Sequence, residues 1–167
     1  MKNELVKSVA RNAIVAAIYV AITGATYPIA FGMLQVRIAE ALMLLCFFRR
    51  DYIYGLTLGC LIANLFSPML PWDLIIGTAA TFLSCLCICF CKHLAIASLM
   101  PVVFNGFMVG AELYFILEEP FWLSVLFVSI GEIIAVCVIG YLLFFLNKKN
   151  NTFYKVIRRN RNEDFIW

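Results

Sequence analysis

Arg37, Glu40, Asp73, Glu112 and Glu132 lie in or at the ends of otherwise apolar stretches, and Asn64 and Asn105 join them as neutral hydrogen-bonding groups. A charged side chain at membrane depth is costly unless it faces a partner or a cavity, so these residues mark a binding site before anything else. Arg37 and Glu40 are three apart and share one helix face. Asn105 and Glu112 are seven apart and share another. Glu132 lies eleven residues into the last apolar stretch, about 16 Å along a helix. No lysine or arginine in the later helices stands at its depth. A buried carboxylate without a basic neighbour must find a proton or a donor. Together these groups can converge on one pocket. Structural roles compete with that reading: Arg37 pairing with Glu40, Asp73 capping a helix, Asn64 and Asn105 tying helices together.

Catalysis has no comparable support. There is no H-E-x-x-H, no G-x-S-x-G and no G-x-x-x-x-G-K-[ST]. The one histidine, His93, falls at a turn between apolar stretches. Seven cysteines sit in apolar stretches, four of them as Cys85-x-Cys87-x-Cys89-x-Cys91. A spacing of two splays helical side chains by about 200°, which cannot surround one tetrahedral ion. These cysteines read as small apolar packing residues. The chain is expected to be no enzyme, to carry no metal or cofactor, and to bind no nucleic acid.

The elements that must position these groups are membrane helices. The 167-residue chain is 64% hydrophobic and 14% charged, with mean hydropathy +0.95, against roughly 25% charged residues in soluble domains. Uncharged runs at Asn12–Val36, Tyr52–Trp72, Leu74–Cys91 and Ile133–Asn147 punctuate it; runs of about 18 residues suffice to span a bilayer. The start does not read as a cleaved signal peptide. The pattern predicts an all-α integral membrane protein, a six-helix transmembrane bundle. Its helices are expected near 9–26, 37–48, 52–66, 73–91, 94–117 and 121–146, with a kink at Pro101. Residues 1–146 form the transmembrane substrate-binding domain, and 147–167 a basic cytoplasmic tail. With both termini inside, twelve of the thirteen lysines and arginines fall on the cytoplasmic side and only Arg37 outside. The polar groups then converge in the outer half of a multi-pass protein of the cell membrane.

Ala13, Ala17, Ala21 and Ala25 recur every fourth residue of the first helix. Such a stripe lets helix backbones approach closely in lipid. It packs either against another helix of this chain or against a separate membrane subunit.

Two segments, Gln35-Val-Arg37-Ile-Ala-Glu40-Ala-Leu42 and Ala63-Asn64-Leu65-Phe66-Ser67-Pro68, followed by Asn105-Gly-Phe-Met-Val-Gly110-Ala-Glu112 and Gly131-Glu132, resemble the QueT family. These are substrate-binding (S) components of energy-coupling factor (ECF) transporters. The resemblance runs from about residue 10 to 146. It implies a six-helix bundle that captures a scarce nutrient and associates with an ECF transmembrane scaffold subunit and two cytoplasmic ATPases. The nutrient it implies is a queuosine precursor, a 7-deazaguanine such as the 7-aminomethyl form. On this reading Gln35, Arg37, Glu40, Asn64, Asn105, Glu112 and Glu132 bind substrate, and Ala13, Ala17 and Ala21 dock the scaffold. A carboxylate suits the N–H edge of a deazaguanine, an amide its carbonyl, and a second carboxylate a protonated amine. Tyr27, Phe31, Trp72, Tyr114 and Trp122 are expected to stack on the ring, to cover it, or to form an interfacial aromatic belt. Alternatives are an S component for another nutrient such as a vitamin, or a membrane partner without a ligand.

Overall fold

The computed structural model describes residues 2–32, 34–147 and 150, and every regular element in it is helical. Seven helices follow in order: α1 (Lys2–Ala25), α2 (Tyr27–Ala30), α3 (Ile38–Phe48), α4 (Tyr52–Asn64), α5 (Trp72–Ile88), α6 (Leu94–Leu117) and α7 (Phe121–Leu146). Three of them, α1, α6 and α7, are long and apolar enough to cross a bilayer, while α3, α4 and α5 are shorter apolar helices. The outer surface is that of a membrane protein. Phe115, Trp122, Tyr54 and Phe90 are each more than two-thirds exposed, a density of bare aromatics that water does not tolerate.

Helix bounds follow local chemistry. α1 ends at Ala25, and Pro28 sits in the first turn of the short α2, where a missing N–H costs nothing. Ser67–Pro71 separates α4 from α5. Pro120 precedes α7, and Glu118 closes α6 in the left-handed conformation with φ 59°. The α6 helix runs unbroken through Pro101. Two elements depart from regular α geometry. The first seven residues of α3, Ile38–Leu44, form a 3₁₀ helix, longer than such runs usually are. Within α7 a π-helical stretch, Ile133–Gly140, begins directly after Glu132. Expected helix 1 begins earlier than residue 9, and expected helices 3 and 4 end two or three residues sooner. The basic tail lies outside the described residues apart from Asn147 and Asn150.

Helix packing rests on two glycine pairs. Gly55 and Gly59 of α4 face α1: a Cβ built on Gly59 would stand 2.9 Å from Tyr19 Cβ, and one on Gly55 2.6 Å from the Asn12 carbonyl oxygen. The Gly55 N–H, one of the unpaired donors of the first turn of α4, is capped by Asn12 Oδ1 at 2.9 Å. On α6, Gly106 and Gly110 admit Ser129 and Val125 of α7 in the same manner. Small residues four apart let backbones touch where lipid supplies no hydrophobic drive for association. The α1 face used here carries Asn12, Ala16 and Tyr19. The alanine stripe is not part of it: Ala13, Ala17, Ala21 and Ala25 are all exposed.

The bundle divides into an apolar half and a polar half. Near the turns at 49–51 and 92–93, Met43, Leu44, Phe47, Phe48, Ile88, Leu94 and Phe144 form a dry core, with Phe48 stacked on Phe144 at 5.3 Å. The neighbouring turn is tied by Asp51. It accepts hydrogen bonds from Arg49 Nε at 2.6 Å and Ser8 Oγ at 2.8 Å, with Arg11 at 3.5 Å. Partial burial works against its charge, yet the Arg49 and Ser8 bonds and the two guanidinium charges hold its carboxyl below the ordinary aspartate range. The opposite half contains the buried charged residues.

The α1–α4 contact is directly testable. Gly59→Leu forces the Tyr19 backbone outward and should destabilise the detergent-solubilised protein by about 1–3 kcal/mol, the ordinary cost of overpacking. Leu58→Ala, at a half-exposed neighbour, should leave the thermal unfolding midpoint unchanged. Equal midpoints for Gly59→Leu and the parent would remove the glycine contact from the packing account.

Candidate substrate-binding site

Five helices and one loop bring the polar residues together. From α3 come Arg37, its N-cap, and Glu40 in its first turn. Asn64 ends α4, Asp73 comes from the first turn of α5, Asn105 and Glu112 from α6, and Glu132 from α7. All are buried, at 0–6% exposure. Gln35, in the loop before α3, has φ 43°, the left-handed region that non-glycine residues rarely occupy. The backbone carbonyls of Leu34 and Gln35 press on α7 at Gly131, where any side chain would collide with them. That contact seats the loop beside Glu132.

Asn105 is the bridge of the site. Its Nδ2 donates to Glu40 Oε2 and to Glu132 Oε1, each at 2.6 Å, and the two carboxyl groups lie against one another. Glu40 Oε1 also accepts from Tyr19 Oη at 3.4 Å and faces Arg37 Nη1 at 3.7 Å. Arg37 continues to Asp73, Nη2 to Oδ2 at 3.9 Å, and its guanidinium sits over the Phe31 ring at 4.9 Å. Asp73 Oδ2 accepts from Ser67 Oγ, and Ser67 Oγ in turn accepts from Met69 N–H at 3.0 Å. The Glu112 carboxyl lies against that of Asp73. Asn64 Nδ2 donates to the Asp73 carbonyl at 2.8 Å and to Thr78 Oγ1 at 3.3 Å. Arg37 therefore joins two carboxyl pairs, Glu40 with Glu132 and Asp73 with Glu112.

Most of these groups retain unused capacity. Six acceptor atoms, Asn64 Oδ1, Asp73 Oδ1, Asn105 Oδ1, both Glu112 oxygens and Glu132 Oε2, receive no hydrogen bond from the protein; Arg37 Nε is the one donor of the cluster in that position. Buried polar atoms left so are rare in folded proteins and are costly. A cavity of about 10 Å³ lies among Gln35, Arg37, Glu40, Gly77, Asn105, Val109, Val128 and Glu132. Four carboxyl groups stand against a single guanidinium, so the site favours a ligand with several donors and positive charge.

All seven residues expected to bind substrate gather here. The structural alternatives hold at the same time for some: Arg37 does face Glu40, and both asparagines tie helices. Asp73 is the exception. Its side chain makes no capping bond, since Pro71 is the N-cap of α5; its carboxyl belongs to the cluster instead. Reading it as a cap missed this, although an aspartate next to a long uncharged run was itself a signal. Tyr19 was also missed: it is wholly buried on the face of α1 opposite the alanines. Cys60 is more than packing. Its Sγ accepts from Thr81 Oγ1 at 3.2 Å and Asn64 Nδ2 at 3.4 Å, and lies 4.0 Å from Arg37 Nη1. Within the four-cysteine run, Cys85 and Cys89 are buried and Cys87 and Cys91 partly exposed. No group of three or more histidine, cysteine, aspartate or glutamate side chains among the described residues is placed to hold a metal ion. Of the five aromatics, Phe31 alone meets the cluster; Trp72, Tyr114 and Trp122 are 46–74% exposed and point to the surroundings. Tyr27 packs on Phe31 at 5.0 Å.

Comparison with known proteins identifies the family. The model of the family described as QueT transporter matches residues 9–149. The Queuosine precursor transporter QueT of Lactococcus lactis subsp. cremoris (strain MG1363) is 30% identical over 166 residues, covering 89% of this chain and 97% of that protein. No solved structure matches the chain. With several apolar helices of membrane-spanning character and a family match over most of its length, the chain is a multi-pass membrane protein and belongs to the QueT transporter family.

Proposed function

We propose that this chain is the membrane-embedded substrate-binding subunit of an ECF-type ABC importer, capturing a queuosine precursor, a 7-deazaguanine such as 7-aminomethyl-7-deazaguanine, for ATP-driven uptake. One observation carries the reading: six buried acceptor atoms without a donor in the core of a helical bundle, those of Asn105 and Glu132 at a small cavity there. A transporter family and a relative named for queuosine precursors supply the ligand class. A 7-deazaguanine offers ring N–H and exocyclic amine donors along one edge. Glu132 Oε2 suits those donors, and the Glu40–Asn105–Glu132 bridge holds it in place. The Arg37 guanidinium suits the ring carbonyl. Val109 and Val128 supply apolar walls for the ring faces.

The mechanism divides between the chain and its partners. The chain binds and orients substrate. It has no P-loop, so ATP hydrolysis belongs to two cytoplasmic ATPases, coupled through a transmembrane scaffold subunit. The scaffold docks on the exposed face of α1 at Ala13, Ala17 and Ala21, where absent side-chain bulk permits close backbone approach. Six spans, α1 and α3 to α7, with both termini in the cytoplasm, put twelve of thirteen basic residues inside and the cluster toward the outer face. Residues 1–146 form the binding domain and 147–167 a cytoplasmic tail.

Three outcomes are expected. Glu132→Gln keeps the side-chain volume but replaces one acceptor oxygen with a donor, and should weaken 7-aminomethyl-7-deazaguanine binding by about two orders of magnitude or more, at about 1.4 kcal/mol per decade. Calorimetry on folded, monodisperse protein checks this, and parent-like affinity would remove Glu132 from the site. Ala17→Leu should abolish co-purification of the scaffold and ATPases while leaving affinity within about threefold of the parent. Unchanged co-purification places the docking surface elsewhere. In a background without native cysteines, Lys148→Cys should resist membrane-impermeant thiol reagents in intact cells; labelling there would invert the topology.

A further inference from the structure

Between α4 and α5 the outer surface has a groove of about 260 Å³, lined by Ile53, Tyr54, Thr57, Leu58, Leu61 and Phe82. Two apolar stripes border it. Tyr54, Leu58 and Leu61 recur at helical spacing on α4, and Phe82, Leu86 and Phe90 every fourth residue on α5 and just beyond it. All six are exposed. Thr57 breaks the apolar wall. Its Oγ1 is buried and has no hydrogen-bond partner in the protein. Helical threonines commonly return the hydroxyl to the carbonyl four residues back, as Thr23 and Thr26 of α1 do at 3.0 and 2.8 Å. One end of the groove is basic. Arg50, in the turn before α4, is exposed, and its guanidinium lies over the Phe90 ring at 5.3 Å. Arg11, Arg37 and Arg49 each pair with a carboxylate; among the described residues Arg50 pairs with none. Lys92, two residues after Phe90, is exposed and pairs with none of them either. Stacking occupies the flat face of a guanidinium and leaves its N–H edge free to donate.

We propose that this groove holds one phospholipid with an anionic headgroup, its phosphate at Arg50 and an acyl chain laid between α4 and α5. Three features fit one such molecule along its length. The N–H edge of Arg50 matches the paired oxygens of a phosphate. Thr57 lies seven residues beyond Arg50, about 10 Å further into the membrane, where an acyl ester offers its hydroxyl the acceptor that the protein does not. Leu58, Leu61 and Phe82 then take the hydrocarbon chain. Charge decides the lipid class. A zwitterionic headgroup brings its own cation beside Arg50, whereas an anionic one neutralises a guanidinium that no described carboxylate serves. On the proposed topology the site belongs to the cytoplasmic leaflet. A protein partner could also meet the exposed Arg50–Phe90 pair, but it would leave the Thr57 hydroxyl and the groove behind it unfilled.

The test uses the full chain in a neutral detergent, titrated with dioleoylphosphatidylglycerol or dioleoylphosphatidylcholine, and counts bound lipid by native mass spectrometry. The parent should bind its first phosphatidylglycerol at least about tenfold more tightly than phosphatidylcholine. Arg50→Ala should bring the two within about threefold of each other. Leu61→Trp fills the deep end of the groove with Arg50 untouched, and should weaken phosphatidylglycerol at least about fivefold. Equal affinity of the parent for the two lipids overturns the site. An unchanged ratio in Arg50→Ala overturns it as well, because the charge preference then lies elsewhere. Unchanged affinity in Leu61→Trp does the same, since a headgroup contact without a groove remains. If Arg50→Ala instead releases the scaffold and ATPases while both lipid affinities stay as in the parent, the patch docks protein and the lipid site falls. The comparison of two lipids on the parent needs no variant to fold.

Discussion

Everything in this bundle is arranged around one electrostatic problem: four carboxyl groups and one guanidinium buried together in an apolar protein. Taking ions out of water is expensive unless each gains close partners. Arg37 addresses two carboxylates at once and stacks on Phe31. Asn105 divides its two N–H groups between Glu40 and Glu132. Ser67 serves Asp73 from the turn outside α4. These partners satisfy part of the cluster and leave the rest as binding capacity. The helices are fitted to hold it: the glycine pairs of α4 and α6 draw α1 and α7 close enough for Tyr19 and Glu132 to reach the centre. The dry phenylalanine core in the other half supplies the apolar burial that offsets the cost.

Much of this was legible in the sequence, for a definite reason. In lipid a charge is an anomaly, so Arg37, Glu40, Glu112 and Glu132 announce themselves against uncharged runs. Spacing alone put Asn105 and Glu112 on one face, and α6 spans the expected 94–117. What stayed hidden depends on three-dimensional neighbours. Tyr19 is one aromatic among many, and only the fold shows its hydroxyl on Glu40. Cys60 looked like filler because thiols usually are. The Gly55–Gly59 and Gly106–Gly110 pairs were overlooked beside the alanines of α1, which stay uncovered in the chain itself. Asp73 misled because a first-turn aspartate ordinarily serves the backbone, and here the turn at Pro71 frees it for other work. The 3₁₀ geometry of α3 and the π stretch of α7 carry no periodic signature in an apolar run.

The irregular elements flank the site. A π turn widens the helix locally and shifts the side chains that follow, and here it begins one residue after Glu132. The 3₁₀ start of α3 narrows the helix that bears Glu40. Gly140, at the end of the π stretch, lies on Ala41 of α3. A widened helix thus packs on a narrowed one, and the carboxylates bridged by Asn105 project from the beginnings of both.

Helix α1 has two faces with different obligations. Its exposed alanines point away from the bundle, while Tyr19, between Ala17 and Ala21 in sequence, reaches inward to Glu40 over 3.4 Å. The helix is nearly rigid along its axis, and Gly55 and Gly59 are its close-contact track. The outer surface and the buried carboxylate therefore lie on opposite sides of one helix, a single aromatic ring apart.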